Sequence, residues 1–225
     1  MATDLIDWGP EVNPSVPGLP QPGLKLGVRN AAIEFCQETL LWAYTLTAMD
    51  VEATVQAYTL TIPDALHAEV VGIDTVKYKQ NGEDDTTYIT LPPLSENEYD
   101  LIKTGAWKYQ TSPTPSKYWS DVPEKQVHLW PIPSAASTGG LLVTPNLRPT
   151  KTTDDLPDFL WEDYRKAIAK GAIADLLNRP ALTFFNPELA ATHRLIFENK
   201  MNDAKVKKIT GATKRGLRVR MRNWL

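Results

Sequence analysis

The chain has 225 residues, of which 42% are hydrophobic and 23% are charged. This composition excludes a wholly disordered chain and is sufficient for one large core or two modest ones. No apolar run approaches the roughly eighteen residues of a membrane span, and the acidic N-terminus lacks the apolar segment of a secretory signal. With Cys36 as the single cysteine, no internal disulfide can form, and we expect synthesis in a reducing cytoplasm.

The first 23 residues are punctuated by prolines at positions 10, 14, 17, 20 and 22. Proline has no N–H and fixes φ, so this spacing disfavours helix and predicts an extended arm over residues 1–23. Four apolar residues of the arm indicate that it lies along another surface: Trp8, Val12, Val16 and Leu19.

Helical periodicity on both sides of a central β-rich region predicts a helical body made of residues 24–49 and 151–210. The first helix is expected over residues 24–43. One broad apolar face of this helix contains Leu24, Val28, Ala31, Ala32, Phe35, Cys36, Thr39 and Trp42.

Two further helices are predicted after the β-rich region. The second is expected to start at residues 154–157, where aspartates precede a proline, and to end at Asn178. Inside it, Gly171 costs about 1 kcal/mol relative to alanine, which favours a close helix crossing at this position. The third is expected from Asn186 to Lys208, with an apolar stripe of Leu189, Ala190, His193, Ile196, Phe197, Met201 and Ala204.

Residues 50–150 show short β-type runs separated by proline, glycine and serine. Strands are predicted at 51–60, 69–78, 86–91, 126–130 and 140–144. The capping-box spacing of Ser95 and Glu98 predicts one short helix through Ile102. The predicted fold class is therefore α+β: a small α-helical bundle interrupted by an antiparallel β-sandwich-like insertion, with an extended N-terminal arm and a C-terminal tail.

The end of the chain differs in charge from the rest. Between Ala204 and Leu225 there are eight lysines or arginines and no acidic residue, so the net charge of −3 leaves −11 on the first 203 residues. Residues 211–225 contain Lys214, Arg215, Arg218, Arg220, Arg222, Trp224 and Leu225. Such a segment can dock on partner carboxylates and an apolar pocket. Nucleic-acid binding with Trp224 stacking, and a plain solvated tail, are the alternatives.

Isolated polar residues give no pattern of catalysis or metal binding. Arg29 and Asp175 lie on the apolar faces of the first and second helices, and we interpret them as a structural inter-helix salt bridge. Contacts across a subunit interface and a catalytic or ligand-binding pair are the alternatives. The three histidines at positions 67, 128 and 193 lack ligand spacing, so neither a metal nor a cofactor is expected.

Three groups of residues, in this order along the chain, resemble phage head-to-tail adaptor proteins. They are the proline arm with Val28–Cys36 and Trp42, then Asp155-Leu-Pro-Asp with Tyr164 and Gly171–Leu177, then Asn186-Pro with Phe197. With the β insertion between the first two helices, the chain is similar to the tail tubular protein A type of adaptor of short-tailed phages.

This resemblance implies a structural virion protein, made in the host cytoplasm, that forms a ring of twelve copies at the head–tail junction. Its partners would be the portal protein, the tail proteins, further copies of itself and, transiently, genomic DNA in the lumen. The basic tail would dock on the portal. The β insertion would face the tail or neighbouring subunits.

Two other classes of function compete with this interpretation. A carbohydrate-degrading or cell-wall-degrading tail enzyme would need paired carboxylates, and the candidates Glu34, Glu38, Asp154 and Asp155 show no such pairing. A nucleic-acid-binding protein would use the basic tail. The aromatic residues Trp107, Tyr109, Tyr118, Trp119 and Trp130 fit a sugar-binding patch, although core or interface packing is the commoner role.

Overall fold

Three long helices form a bundle in the computed structural model, which describes residues 2–80, 82, 87–105, 109–180 and 183–210. The helices are α1 (Gly9–Val12), α2 (Gln21–Thr39), α3 (Glu96–Thr104), α4 (Asp158–Leu177) and α5 (Pro187–Thr210). The bundle of α2, α4 and α5 buries Phe35, Ile168 and Phe197 in one core. The three predicted body helices and the short helix α3 are therefore confirmed.

Local chemistry explains where the body helices begin and end. The Asn186 side chain accepts a hydrogen bond from the Leu189 N–H at 3.0 Å, which caps α5 as its sequence predicts. Helix α2 ends earlier than expected because Leu40 adopts a left-handed conformation, with φ of 53°, while its N–H bonds to the Cys36 carbonyl. Trp42 is still buried, but it lies beyond the helix.

Two predictions are wrong: the position at which the second helix begins, and the extended conformation of the N-terminal arm. Strand β11 (Asp155–Pro157) pairs antiparallel with β1 (Ala2–Asp4), so residues 154–157 are not the first turn of α4. The arm is not wholly extended either, since a 3₁₀ helix over Leu5–Trp8 leads into α1. Pro10 is compatible with α1 because it lies in the first turn, where an N–H has no partner in any helix.

The arm nevertheless packs on the rest of the protein, as its apolar residues predict. Leu5, Trp8, Val12 and Val16 are completely buried in the helical core. Trp8 packs edge-on against Trp161 of α4, with ring centroids 5.2 Å apart. Burial of this kind stabilises each large side chain by about 2 kcal/mol, so the arm is part of the body's core.

The insertion between α2 and α4 is built from short strands around two long ones. Its strands are β2 (Met49–Val51), β3 (Ala57–Thr59), β4 (Ala68–Tyr78), β5 (Ile89–Leu91), β6 (Thr111–Ser112), β7 (Lys117–Asp121), β8 (Gln126–Trp130), β9 (Ile132–Pro133) and β10 (Ser137–Pro149). They form antiparallel sheets in the orders β2-β10-β4-β5 and β3-β8-β7, while β6 and β9 form a small parallel pair.

The two antiparallel sheets enclose a second hydrophobic core. Val76 and Leu141 from the first sheet meet Val127 and Leu129 from the second, and all four are completely buried. The predicted antiparallel sandwich is therefore confirmed. The run at 51–60 is not a single strand, however, because β2 and β3 belong to different sheets.

The long strands β4 and β10 pass through both cores. Near the helices, Val70 and Leu147 lie in the core of the bundle, whereas Val76 and Val143 lie in the core of the sandwich. The register of the pair shifts after Thr144 and again after Asn146, where bulges bend the ladder between the two cores. The bundle and the insertion are thus joined by continuous strands and not by linkers.

Gly171 lies where α4 passes closest to its neighbouring helices. A Cβ atom at this position would stand 3.0 Å from ring carbons of Phe197 and 3.1 Å from the Cβ of Ala31. The predicted close crossing is confirmed, and glycine fits best because a methyl group would require Phe197 and Ala31, both buried, to move by a few tenths of an ångström.

Replacing Gly171 by alanine should destabilise the fold. The overlap with Phe197 and Ala31 should cost about 1–3 kcal/mol, more than the roughly 1 kcal/mol that alanine contributes to helix propensity. Urea unfolding would measure the difference. Gly72→Ala is the matched control, since nothing lies within 4 Å of its added methyl group. An unchanged stability of Gly171→Ala would contradict the close crossing.

Candidate assembly surfaces

Arg29 of α2 holds the segment by which the chain returns from the insertion to the helices. Its Nε donates to the Thr153 carbonyl at 2.7 Å and its Nη1 to the Lys151 carbonyl at 3.0 Å. Its Nη2 lies 3.1 Å from the Asp154 carboxylate. Only 16% of the Arg29 side chain is exposed, and its bond to the Thr153 carbonyl is partly buried, whereas the other two contacts lie at the surface.

Asp175 has a different partner, and the predicted pair with Arg29 is not formed. Asp175 is exposed on α4 and makes an ion pair with Arg179, one helical turn away. On a helical wheel, Asp175 lies at the centre of the apolar face of the second helix. In the structure, the end of α4 is buried on almost every side, and Asp175 is the exposed residue among buried neighbours there. The structural role that we predicted for the pair therefore belongs to Arg29 alone.

The two residues should respond very differently to substitution. Arg29→Met retains the apolar stem but removes the hydrogen bonds to two carbonyls and the contact with Asp154, which keeps Lys25 as a partner, so we expect a loss of about 1–2 kcal/mol in the free energy of unfolding. Asp175→Asn removes an exposed helical pair and should cost less than about 0.5 kcal/mol. Urea unfolding of both variants tests this, and equal costs would show that Arg29 does not hold the returning segment.

Lys208 in the last turn of α5 binds the boundary between the bundle and the insertion. Its ammonium group contacts the Leu40 carbonyl, the Asn146 amide oxygen at 2.8 Å and the Asp74 carboxylate at 2.9 Å. These groups come from the end of α2, from β10 and from β4. The end of α5 is consequently held at the point where both cores meet.

The predicted docking tail itself lies outside the described residues, which end at Thr210. It contains the basic residues Lys214, Arg215, Arg218, Arg220 and Arg222, and the apolar residues Trp224 and Leu225. The proposal of a docking tail therefore rests on its composition and on the anchored position of the preceding helix.

Helix α5 buries a narrower stripe than its sequence predicts. Its buried residues are Ala190, His193, Phe197, Met201 and Ala204, whereas Leu189 and Ile196 are exposed. On the opposite side, Leu195, Val206 and Ile209 fall within about 60° of one another and are 60%, 53% and 82% exposed. We call these three residues the outer face of α5. Exposed apolar side chains grouped on one face are typical of a protein–protein contact.

The candidate catalytic carboxylates are engaged in structural contacts. Glu34 binds Arg194 at 2.9 Å and Glu38 binds Lys205 at 2.9 Å, so both tie α2 to α5. Asp154 contacts Arg29, and Asp155 accepts a hydrogen bond from the Thr153 hydroxyl at 2.9 Å. Glu34 and Glu38 line the same surface cavity, but each is bound by a cation of α5, whereas glycoside hydrolysis requires one carboxyl group that donates a proton and a second that acts as nucleophile or base.

The histidines and the cysteine occupy separate structural positions. No group of three potential metal ligands occurs among the described residues. Burial lowers the pKa of His128 and of His193, which keeps both rings neutral at pH 7. Cys36 is completely buried in the bundle, and burial raises the pKa of its thiol to about 12, so the reactive thiolate is suppressed.

The aromatic residues of the insertion do not form one shared patch. Tyr118 is buried in the core of the sandwich, Trp130 is half-buried and Tyr109 is 75% exposed, while Trp107 lies outside the described residues. Trp119 stacks on His128 and packs against Tyr99 of α3. The sequence analysis missed Tyr99, which only the position of α3 beside β7 brings to this site.

The fold and these surfaces define a class of protein. A helical bundle with an inserted β-sandwich, an exposed apolar helix face and a basic terminal segment is typical of a subunit that acts through assembly. In the part of the chain that the structure describes, no helix is long and apolar enough to cross a membrane.

Comparison with known families identifies this class more closely. The model of the SU10 adaptor protein family, a phage head-to-tail adaptor family, matches residues 7–222. The chain therefore belongs to the SU10 adaptor protein family, and its role is that of a structural head-to-tail adaptor of a phage virion. The comparison with curated proteins found no matching sequence.

Proposed function

We propose that the protein forms a ring of twelve copies which joins the portal to the tail and surrounds the path of the DNA. The observation that carries this proposal is the family match, because it spans the bundle, the insertion and most of the basic tail. A head-to-tail adaptor needs one surface for the portal, one for the tail and one for its own copies. The basic tail, the insertion and the outer face of α5 are separate surfaces that suit these three contacts.

The portal contact is assigned to residues 211–225. The contacts of Lys208 hold the end of α5 against the body, so a tail that starts a few residues later extends from a fixed point. Its four arginines suit bidentate contacts with carboxylates, and Trp224 and Leu225 suit an apolar pocket.

Deletion of residues 211–225 should abolish portal binding without unfolding the subunit. The described residues alone supply a helical core that includes Phe197, Met201 and Ala204 of α5, so we expect the shortened chain to fold. Purified portal mixed with the full and the shortened chains, followed by imaging, would measure the effect. A second variant replaces only Trp224 and Leu225 by alanine and keeps all the charges of the tail. It tests the apolar contact separately and should weaken portal binding by at least about tenfold.

Two results would contradict the assignment of the tail. Undiminished portal binding by the shortened chain would show that the contact lies elsewhere. A nucleic-acid role for the tail would be favoured by three results together. The full chain would bind duplex DNA in a salt-sensitive manner, the shortened chain would not, and the shortened chain would still form rings with portal.

The contact between copies is assigned to the outer face of α5. Leu195 and Val206 are exposed, and Asn199 and Asn202 on the same side of the helix carry no charge. Burial of such a face in a neighbouring copy removes apolar surface from water without requiring a buried charge to be paired. A head-to-tail contact of this kind closes into a ring when its rotation permits.

Leu195→Lys should prevent ring formation in the presence of portal while the fold stays intact. The new ammonium group would have to be buried without a partner, whereas in the isolated subunit it remains in water. Ile89→Lys is a matched control, since Ile89 on β5 is 55% exposed and Leu195 is 60% exposed. Imaging of portal mixtures and urea unfolding are the measurements. Rings formed by Leu195→Lys would exclude the outer face of α5 as the contact between copies.

The charge of the protein is compatible with DNA passing through such a ring. Fixed cations on the wall of the ring would retain DNA, because each phosphate that they neutralise releases a counterion. The first 203 residues instead carry a net charge of −11. Contact with the genome would therefore be transient.

We also propose that the protein acts without catalysis and without a cofactor, because the carboxylates considered above serve packing between elements.

A further inference from the structure

A cleft of about 520 Å³ lies on the insertion, between the start of α3 and the turn that joins β7 to β8. Tyr99 and Trp119 form its aromatic walls, with Leu94 and Pro123 beside them. Two carboxylates, those of Glu96 and Asp121, line the same cleft. The cleft is separate from the outer face of α5 and from the contacts of Lys208.

The aromatic walls are held in a fixed arrangement. The Tyr99 and Trp119 rings pack at 65° with centroids 5.9 Å apart, and His128 stacks on Trp119 at 4.7 Å with an angle of 4°. Because His128 covers one face of the indole and Tyr99 packs against it at an angle, the cleft lacks a broad open platform for a sugar ring. The parts of the two rings that line the cleft offer surface for a small planar group.

The charged residues among those that line the cleft are both acidic. In the part of the chain that the structure describes, neither Glu96 nor Asp121 has an ion-pair partner, and Asp121 accepts only a 3.4 Å hydrogen bond from the Glu124 N–H. The nearest lysine on β7, Lys117, is already bound by Glu98. That contact lowers the pKa of Glu98 to about 2, so the pair is stably charged and Lys117 is not available to the cleft.

His128 does not supply the missing positive charge. Burial lowers its pKa, although the nearby Asp121 acts in the opposite direction, and the stacked imidazole is neutral at pH 7. Among the described residues that line the cleft there is no cation, so two carboxylates next to aromatic rings are complementary to a cationic planar group.

We propose that this cleft binds an arginine side chain presented by a segment of a protein partner. A guanidinium group is flat enough to lie against the parts of Tyr99 and Trp119 that line the cleft, and it can donate in a fork to carboxylates such as Glu96 and Asp121. An ammonium group would match the charge but not the shape. The site is independent of the proposed ring, since its evidence lies wholly within one insertion.

Titration of the full-length protein with small probes tests the chemistry of the cleft. The probes are acetyl-arginine amide, its neutral citrulline counterpart and the oligosaccharide chitotriose. The NMR signal of the Trp119 indole N–H, assigned with Trp119→Phe, reports occupancy. The arginine probe should shift this signal in a saturable manner, whereas the citrulline probe and chitotriose should not.

Charge variants test whether the two carboxylates bind the probe. Glu96→Gln combined with Asp121→Asn should weaken binding of the arginine probe roughly tenfold, since two charge-assisted contacts are lost. The control, Glu162→Gln combined with Asp163→Asn, removes the same charge from two exposed positions of α4 and should leave binding within about twofold. Thermal unfolding verifies that both variants are folded.

Several outcomes would overturn the proposal. An absent response to the arginine probe, an equal response to citrulline, or an equal loss in the control variant would each exclude specific recognition of arginine. A response to chitotriose that survives the double substitution would assign the cleft to glycans instead.

Discussion

The antiparallel pairing of β4 with β10 is the interaction on which the rest of the subunit depends. These strands provide Val70 and Leu147 to the helical core and Val76 and Val143 to the sandwich core. The chain that leaves α2 runs along the same ladder, where the Tyr44 N–H bonds to the Pro145 carbonyl at 3.1 Å. Separating the bundle from the insertion would expose both cores and break backbone hydrogen bonds, so the two parts behave as one unit.

Charged residues reinforce this unit from the helical side. Arg194 and Lys205 of α5 bind Glu34 and Glu38 of α2, and Lys208 binds groups at the boundary of the two cores. Exposed pairs of this kind contribute little energy individually. Their effect is positional, because they fix the direction of α5 and hence the place from which the basic tail extends. For an adaptor, the exit point of a docking segment matters as much as its affinity.

Much of the fold is predictable because a helix that is buried on one side has apolar residues at every third or fourth position of its sequence. The apolar face of α2, the cap of α5 and the glycine at the closest helix crossing all follow from residue chemistry. The errors arise where a segment gains more from tertiary pairing than from its local preference. Residues 155–157 carry a helix-start signal, yet they pair with β1, and the proline-rich arm forms helical turns because its apolar residues enter the core.

The sequence by itself determined the fold class and the basic character of the tail, since these depend on composition and on the order of elements, and the family was indicated by a resemblance in three ordered groups of residues. Only the tertiary structure decided the partners of individual polar residues. Arg29 binds the returning segment and Asp175 binds Arg179, because side-chain pairing depends on which surfaces meet and not on the position of a residue on a helical wheel. The cleft of Tyr99 and Trp119 likewise forms only when α3 packs beside β7, since residues twenty positions apart share no local signal.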